Sequence, residues 1–381
     1  MKFKISGNTV GVLCLVIAAT IAAIFAEYYR KDDLKQTAPV KRLSQMPSFS
    51  PESVTKIEIG FGPEDKKLLL FRSADSWRLR FPGRPEFYAS STKLAGFLES
   101  LSKTKFLREF SLEPQEAETL SLADYQEGKA LNTDKSTGRY QYYFGVSLKL
   151  FDKNDKKLLD IMLGAAHYKP EEILSAGQSM QVPDGRYLRV NLPNGEKHYL
   201  LMSQLFEQCA PMPGLWIEHL RFNTVSQPVQ MEFLRNRTSV WQLKQAEDGA
   251  YGLLVPAGSK LASGEIEKKI KLLSGAFTRD LAPADAIFTP DCKLILEMNN
   301  GFTYTLEMQD SRYNEMQRYA RMKIHFDAEK VHRLKSETEE QFSVRTDRLR
   351  KNAKIEKKWF EKHLFVLQPD VITILEKIPG A

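Results

Sequence analysis

Cysteine is scarce in this 381-residue chain, with three residues at Cys14, Cys209 and Cys292. Cys14 lies inside a hydrophobic run. Cys209 and Cys292 would pair only in an oxidising compartment, and they occupy unlike places in the chain, so two separate thiols are the expectation. Histidine is thin as well: His167, His198, His219, His325, His332 and His363 are scattered. None stands at a metal-ligand spacing from cysteine or carboxylate. The motifs G-x-x-x-x-G-K-[ST], H-E-x-x-H, G-x-S-x-G and G-x-G-x-x-G do not occur. If the chain serves a transporter, it is not the ATPase. No catalytic residue, metal or cofactor is expected, and the chain reads as no enzyme. An excess of one charge sign is missing too. The 55 basic and 48 acidic residues interleave to a net +7, which describes a solvated surface and excludes a nucleic-acid groove. Hydrophobic residues make up 42% and aromatics 10%, enough for a packed core.

Long hydrophobic runs are missing everywhere but once. Val10 to Ala26 carries no charge and no proline. At about 1.5 Å per residue it is near the short limit for a bilayer core of roughly 30 Å. Val10, Leu13, Leu15, Ile17, Ile21 and Phe25 would meet the lipid. Lys2 and Lys4 precede the run; Tyr28, Tyr29, Arg30 and Lys31 follow it, as suits a headgroup zone. A buried core helix and a cleaved signal peptide are the alternatives. Ile24-Phe25-Ala26 is a poor cleavage site, although Thr20 to Ala22 would serve. The expected organisation is a basic tail (1–9), a transmembrane signal anchor (10–26), a linker (27–50) and two modules (51–224 and 225–381). The linker contains Pro39 and Pro47, and a flexible chain of its length spans on the order of 25–30 Å. Signal-anchor logic leaves the N-terminus in the cytoplasm and the bulk outside a bacterial cytoplasmic membrane.

The soluble part reads as one module built twice. Val54-Thr-Lys-Ile-Glu-Ile59 alternates like a strand, and Val229-Gln-Met-Glu-Phe-Leu234 echoes it. Trp77 within Ser76-Trp-Arg-Leu-Arg80 is echoed by Trp241 within Val240-Trp-Gln-Leu-Lys244. Ser91 before Leu94, Leu98 and Leu101 has the helical spacing of Ser263 before Ile266, Ile270 and Leu273. Hairpins are expected around Lys153-Asn-Asp-Lys, Pro193-Asn-Gly and Asn299-Asn-Gly. Arg186-Tyr-Leu-Arg matches Arg318-Tyr-Ala-Arg. Trp216-Ile-Glu-His-Leu220 matches Trp359-Phe-Glu-Lys-His-Leu364 with one insertion. The fold class expected is α+β: an internally duplicated module of mostly antiparallel strands with helices, after one transmembrane helix. Trp77, Trp216, Trp241 and Trp359 recur at landmarks, so core placement is favoured over interface anchoring.

Titratable candidates are few. Glu218-His219, and Glu361 with His363, would be acid–base pairs or surface ion pairs. His325 and His332 would flank a charged helix from Ala328 to about Lys358, with Val331, Leu334, Phe342, Leu349 and Ile355 too sparse for a core stripe. Glu171-Glu172 after Pro170 reads as a helix start.

The opening strand, the Ser76-Trp-Arg-Leu strand, the Leu94 and Leu98 helix, the hairpin ending Ile161-Met-Leu-Gly164 and the closing Trp216 together resemble the bacterial family catalogued as domain of unknown function 4340. Tyr142-Tyr-Phe-Gly145 stands where that family more often has Tyr-Gly-Leu before Pro. The resemblance implies one N-terminal anchor and association with ABC transport systems of the gliding-motility type. The expected function is therefore a non-catalytic accessory or scaffold component of such a transport or surface-export system, with the lipid bilayer and a membrane protein such as an ABC permease as partners. An envelope enzyme or a substrate-binding domain acting on cell-wall or polysaccharide material is the alternative.

Overall fold

In a computed structural model of the chain the described residues are 47–62, 66–74, 76–129, 132–133, 140–168, 183–219, 228–257, 263–275, 277–310 and 318–378. The expected anchor at Val10–Ala26, most of the linker and Glu171-Glu172 lie outside them. Among the described residues no helix is long and apolar enough to cross a membrane. The chain divides into two compact units. Among the described residues, unit one comprises those within Lys103–Gly145 and Leu159–Phe206, and unit two those within Phe49–Ser102, Val146–Leu158 and Glu207–Ala381.

The elements run β1 (Lys56–Phe61), β2 (Lys67–Ser73), β3 (Ser76–Arg80), β4 (Phe87–Tyr88), α1 (Ser91–Ser102), β5 (Phe106–Phe110), α2 (Pro114–Thr119), β6 (Asn132–Thr133), β7 (Tyr140–Gln141), β8 (Val146–Phe151), β9 (Lys157–Tyr168), β10 (Pro183–Asn191), β11 (Lys197–Met202) and α3 (Pro213–Trp216). They continue with β12 (Pro228–Arg235), β13 (Thr238–Gln245), β14 (Tyr251–Val255), α4 (Ser263–Ser274), β15 (Thr278–Leu281), β16 (Cys292–Met298), β17 (Asn300–Gln309), β18 (Tyr319–Val331), α5 (Glu339–Phe360), β19 (Phe365–Leu367) and α6 (Val371–Glu376). Two large antiparallel sheets and a two-stranded one, with a few helices, make this an α+β, strand-rich fold.

In unit one, β9, β10, β11 and β5 are neighbours in that order, and β6 pairs with β7. Arg189 of β10 is buried there, and its guanidinium donates to Leu122 O at 2.6 Å and to Asp124 at 2.5 Å. Desolvation raises the Asp124 carboxyl, but hydrogen bonds from Lys197 and Arg189 outweigh it and hold the group below its ordinary range.

In unit two, β4-β3-β2-β1-β8 run side by side, and a separate sheet has the order β14-β13-β12-β16-β17-β18-β19-β15. Alternation decides the buried face. Leu79, Leu70, Ile57 and Leu150 stand opposite one another across four strands, and all four are fully buried. Each such side chain contributes about 1.5–3 kcal/mol. Helix α1 buries Leu94, Phe97, Leu98 and Leu101, the i, i+3, i+4, i+7 stripe of an amphipathic helix.

The run β3-β2-β1-β8 matches β14-β13-β12-β16, and β9-β10-β11-β5 matches β17-β18-β19-β15. Helices α1 and α4 fall at the same place in these orders and have equal length. Two expected echoes do not survive this comparison. Trp77 lies on β3, whereas Trp241 lies on β13, the counterpart of β2. Trp216 follows β11, whereas Trp359 precedes β19. A Trp-containing strand pattern reports a buried strand position, and more than one strand of a sheet offers it. The helix expected from Ala328 also moves. Strand β18 carries its pairing to Val331, and α5 begins only after Thr338, whose capping box with Gln341 satisfies the first turn. His325 therefore sits within a strand and His332 just after it.

On α4 the expected stripe carries a charge. Ile266 and Leu273 are buried, and so is Lys269 between them. Its ammonium donates to Ile374 O at 2.5 Å and Leu375 O at 3.1 Å, while the Trp241 indole donates to Leu375 O at 2.7 Å. These donors close the C-terminal end of α6, where backbone carbonyls lack helical partners. Burial pushes the lysine down to about 8. Lys269→Met keeps the bulk and removes the donor. It is expected to cost about 1–3 kcal/mol for the carbonyl left unpaired, read as a lower urea midpoint.

The β12–β13 hairpin turns on Asn236 and Arg237, both left-handed at φ 49° and 68°, the geometry of a type I′ turn. Asparagine suits it and arginine does not. Arg237→Gly is expected to stabilise unit two by about 0.5–1 kcal/mol after glycine's added chain entropy is counted, measured as a higher urea midpoint.

Candidate functional site

The four tryptophans do not share one environment. Trp77, Trp216 and Trp241 are buried; Trp359 is half-buried and lines a groove. Trp216 packs edge-on against Phe97 at 5.1 Å and donates to Ala210 O at 3.2 Å. Cys209 and Cys292 are both buried thiols. Burial pushes the Cys292 thiol up to about 12, which makes it a poor nucleophile.

The expected acid–base pairs are used otherwise. Glu361 accepts from the Ile324 amide at 2.9 Å, and His363 Nδ1 donates to Trp359 O at 3.1 Å. Burial lowers the His363 pKa, and Phe87 meets its ring edge-on at 4.7 Å. His219 Nδ1 lies 3.0 Å from the Thr278 hydroxyl, and the backbone amide of Glu218 donates to Tyr88 O. His167 and His198 each pair with a carboxylate, Asp184 at 2.6 Å and Glu109 at 2.7 Å. No cluster of three or more histidine, cysteine or acidic side chains suited to a metal occurs among the described residues.

What the structure brings together instead is a groove of about 450 Å³ in unit two. Its lining is Ser73, Ala74 and Ser76 from the β2–β3 turn, Arg78 and Tyr88 from β3 and β4, and Ile355, Lys358 and Trp359 from the last turns of α5. The Arg78 guanidinium lies 3.9 Å over the Tyr88 ring, within cation–π range. Glu86 orients it from 3.5 Å and also pairs with Arg80 at 3.1 Å. The Tyr88 and Trp359 rings meet at 5.0 Å, tilted by 35°. Two cations, the hydroxyls of Ser73, Ser76 and Tyr88 and an aromatic wall therefore share one concavity, and among the described residues its lining includes no carboxylate or imidazole.

Alternation exposes one face of β3, which is how Arg78 and Arg80 come to lie outside while Trp77 and Leu79 lie inside. That signal was readable. The meeting of Arg78 and Tyr88 with Lys358 was not, because it depends on where α5 comes to rest. Leu349, Ala353 and Phe360 are buried on α5. Beside them Glu356 accepts from the Tyr304 hydroxyl at 2.9 Å, on the β17 face. At the other end of the helix Arg345 forks Glu337 at 2.7 and 2.8 Å, and this hydrogen bonding pulls that carboxyl down to about 2.

The chain gives no match to the family models, to the curated proteins or to the solved structures compared with it.

Desolvation raises Glu356 to about 7, against the partial relief of the Tyr304 bond. A carboxyl raised on folding stabilises fully below its unfolded value near 4.5. That contribution is lost as pH rises through about 7. Glu356→Gln keeps the shape without the charge. It is expected to flatten stability between about pH 5 and pH 8 and to raise it at pH 8 by about 1–2 kcal/mol, after allowance for partial solvation. Urea unfolding across pH checks this; an unchanged pH profile would count against a buried, titrating Glu356.

Proposed function

We propose that the chain is a non-catalytic, membrane-anchored binding protein of the bacterial cell envelope. It serves as an accessory or scaffold component of an ABC-type transport or surface-export system. The observation that supports the binding role is the groove at Trp359, Tyr88, Arg78 and Lys358, whose side chains suit ligand contact and, among the described residues, form no acid–base or nucleophilic pair. The anchor rests on the sequence: a charge-free run at Val10–Ala26 flanked by Lys2, Lys4, Tyr28, Tyr29 and Arg30. The transport partner, an ABC permease, rests on the resemblance to the domain of unknown function 4340 family. The matching strand orders support a module built twice, at 51–224 and 225–381.

The substrate-binding reading is favoured by one further feature. The groove draws Ser73 to Tyr88 from the first of these sequence halves and Ile355 to Trp359 from the second, inside a single compact unit. A glycoside-hydrolysing enzyme needs two carboxylates facing each other across its cleft, and none is among the described lining residues.

Affinity purification of the full-length protein from native membranes in mild detergent tests the role, with a chain lacking Met1–Ala26 as control. A permease and an ATPase are expected with the full-length protein and lost with the control. Recovery of the protein alone would reject a stable transporter complex. Digestion of the bulk by protease added to spheroplasts is the expected topology result, and protection would reverse the orientation.

A further inference from the structure

The exposed face of α5 leads directly into the groove. From Arg348 to Lys358 every exposed charged side chain on this helix is a cation: Arg348, Arg350, Lys351, Lys354 and Lys358. Arg350 pairs with Asp347. Among the described residues no carboxylate pairs with the other four. The one acid in this stretch, Glu356, is turned inward to Tyr304, and burial raises its pKa. Positions 348, 351, 355 and 358 follow helical spacing along one stripe, and at 1.5 Å per residue the row is about 15 Å long. Its last members, Ile355 and Lys358, are also groove lining.

We propose that this row and the groove bind an acidic polysaccharide. One sugar ring lies against Trp359 inside the groove, and carboxylates of that ring and its neighbours pair with Arg78, Lys358, Lys354 and Lys351. The chemistry of the lining selects this ligand. The C–H face of a sugar ring offers weakly positive hydrogens to the negative face of an indole. The Ser73 and Ser76 hydroxyls both donate and accept, as sugar hydroxyls require. Arg78 presents a guanidinium already oriented by Glu86 and Tyr88, so little freedom is lost when it meets a carboxylate. A bilayer surface fits less well. An interfacial helix needs a broad apolar face to enter the headgroup boundary, whereas the exposed face of α5 offers only Val344 and Ile355 as large apolar side chains, and the aromatic wall is recessed. The proposal rests on the groove being a binding site. It does not depend on the anchor or on a transporter partner.

The test is a titration of the full-length protein in detergent, at low and high salt, with an oligogalacturonate, a neutral oligosaccharide of equal length, and vesicles containing phosphatidylglycerol. Saturable binding of the oligogalacturonate is expected, weakening as salt rises. Lys358→Glu and Trp359→Ala should each weaken it by about tenfold or more. Lys153→Glu, in the exposed β8–β9 turn, should leave it unchanged. Lys358→Glu alters an exposed side chain, so thermal unfolding should be unaffected and its effect is a binding effect even if Trp359→Ala proves unstable. Equal binding of the neutral oligosaccharide, binding of vesicles alone, or indifference to Lys358→Glu overturns the proposal. If no saccharide binds while Lys358→Glu still alters recovery of a membrane partner, the ligand class is wrong and the groove remains a binding site. If neither responds, both readings fall.

Discussion

The hydrogen bonds that Glu356 and Glu361 accept, from the Tyr304 hydroxyl and the Ile324 amide, fix where α5 ends. The groove has no existence without that placement. Trp359, Ile355 and one of its two cations come from the last turns of the helix, and its remaining lining, Tyr88 included, comes from β3, β4 and the turn before β3. Burial of Leu349, Ala353 and Phe360 supplies area but no register, since an apolar stripe slides at low cost. A hydroxyl meeting a carboxyl at 2.9 Å does not slide. The helix is thus held by packing and positioned by polar contacts, one of them to a carboxyl that pays a desolvation cost for its place.

The same division of labour recurs where α4 meets α6. Lys269 and Trp241 are buried donors aimed at the final carbonyls of α6. An unpaired lysine there would be costly, and so would an unpaired helix end. Each satisfies the other, and the indole beside the ammonium, 5.1 Å from its centroid, adds a favourable ring face. Unit one has its own version in Arg189, which is buried between Leu122 O and Asp124. Specific polar pairs at three places turn a generic antiparallel sheet fold into one arrangement.

Much of the strand structure was legible because one face of each strand is buried and alternation records this, as in Ile57 and Ile59 of β1 or Leu148 and Leu150 of β8. The helices with spaced leucines and isoleucines, α1 and α4, were legible for the same reason. The tryptophan echoes misled because an indole marks depth in the core and carries no strand number. The charged segment after Ala328 misled because its first residues continue β18, where pairing with β17 outweighs helix propensity. The buried Lys269 on α4 carries no local signal, because its burial is tolerable only through the carbonyls that α6 brings to it. The groove was the least legible feature. Arg78, Tyr88 and Lys358 are ordinary residues in their local contexts, and they become a site only through tertiary placement.

The buried lysine also bears on the order of events during synthesis. The Trp241 indole waits for a carbonyl 134 residues later, and Lys269 for one 105 residues later. At about 5–20 residues per second the ribosome needs on the order of ten seconds to supply them. For that interval α4 carries a cation on the face it must bury and has nothing to bury it against. Unit two, whose first segment starts at Phe49 and whose closing helix is α6, therefore stays open while unit one, complete by Phe206, is free to form.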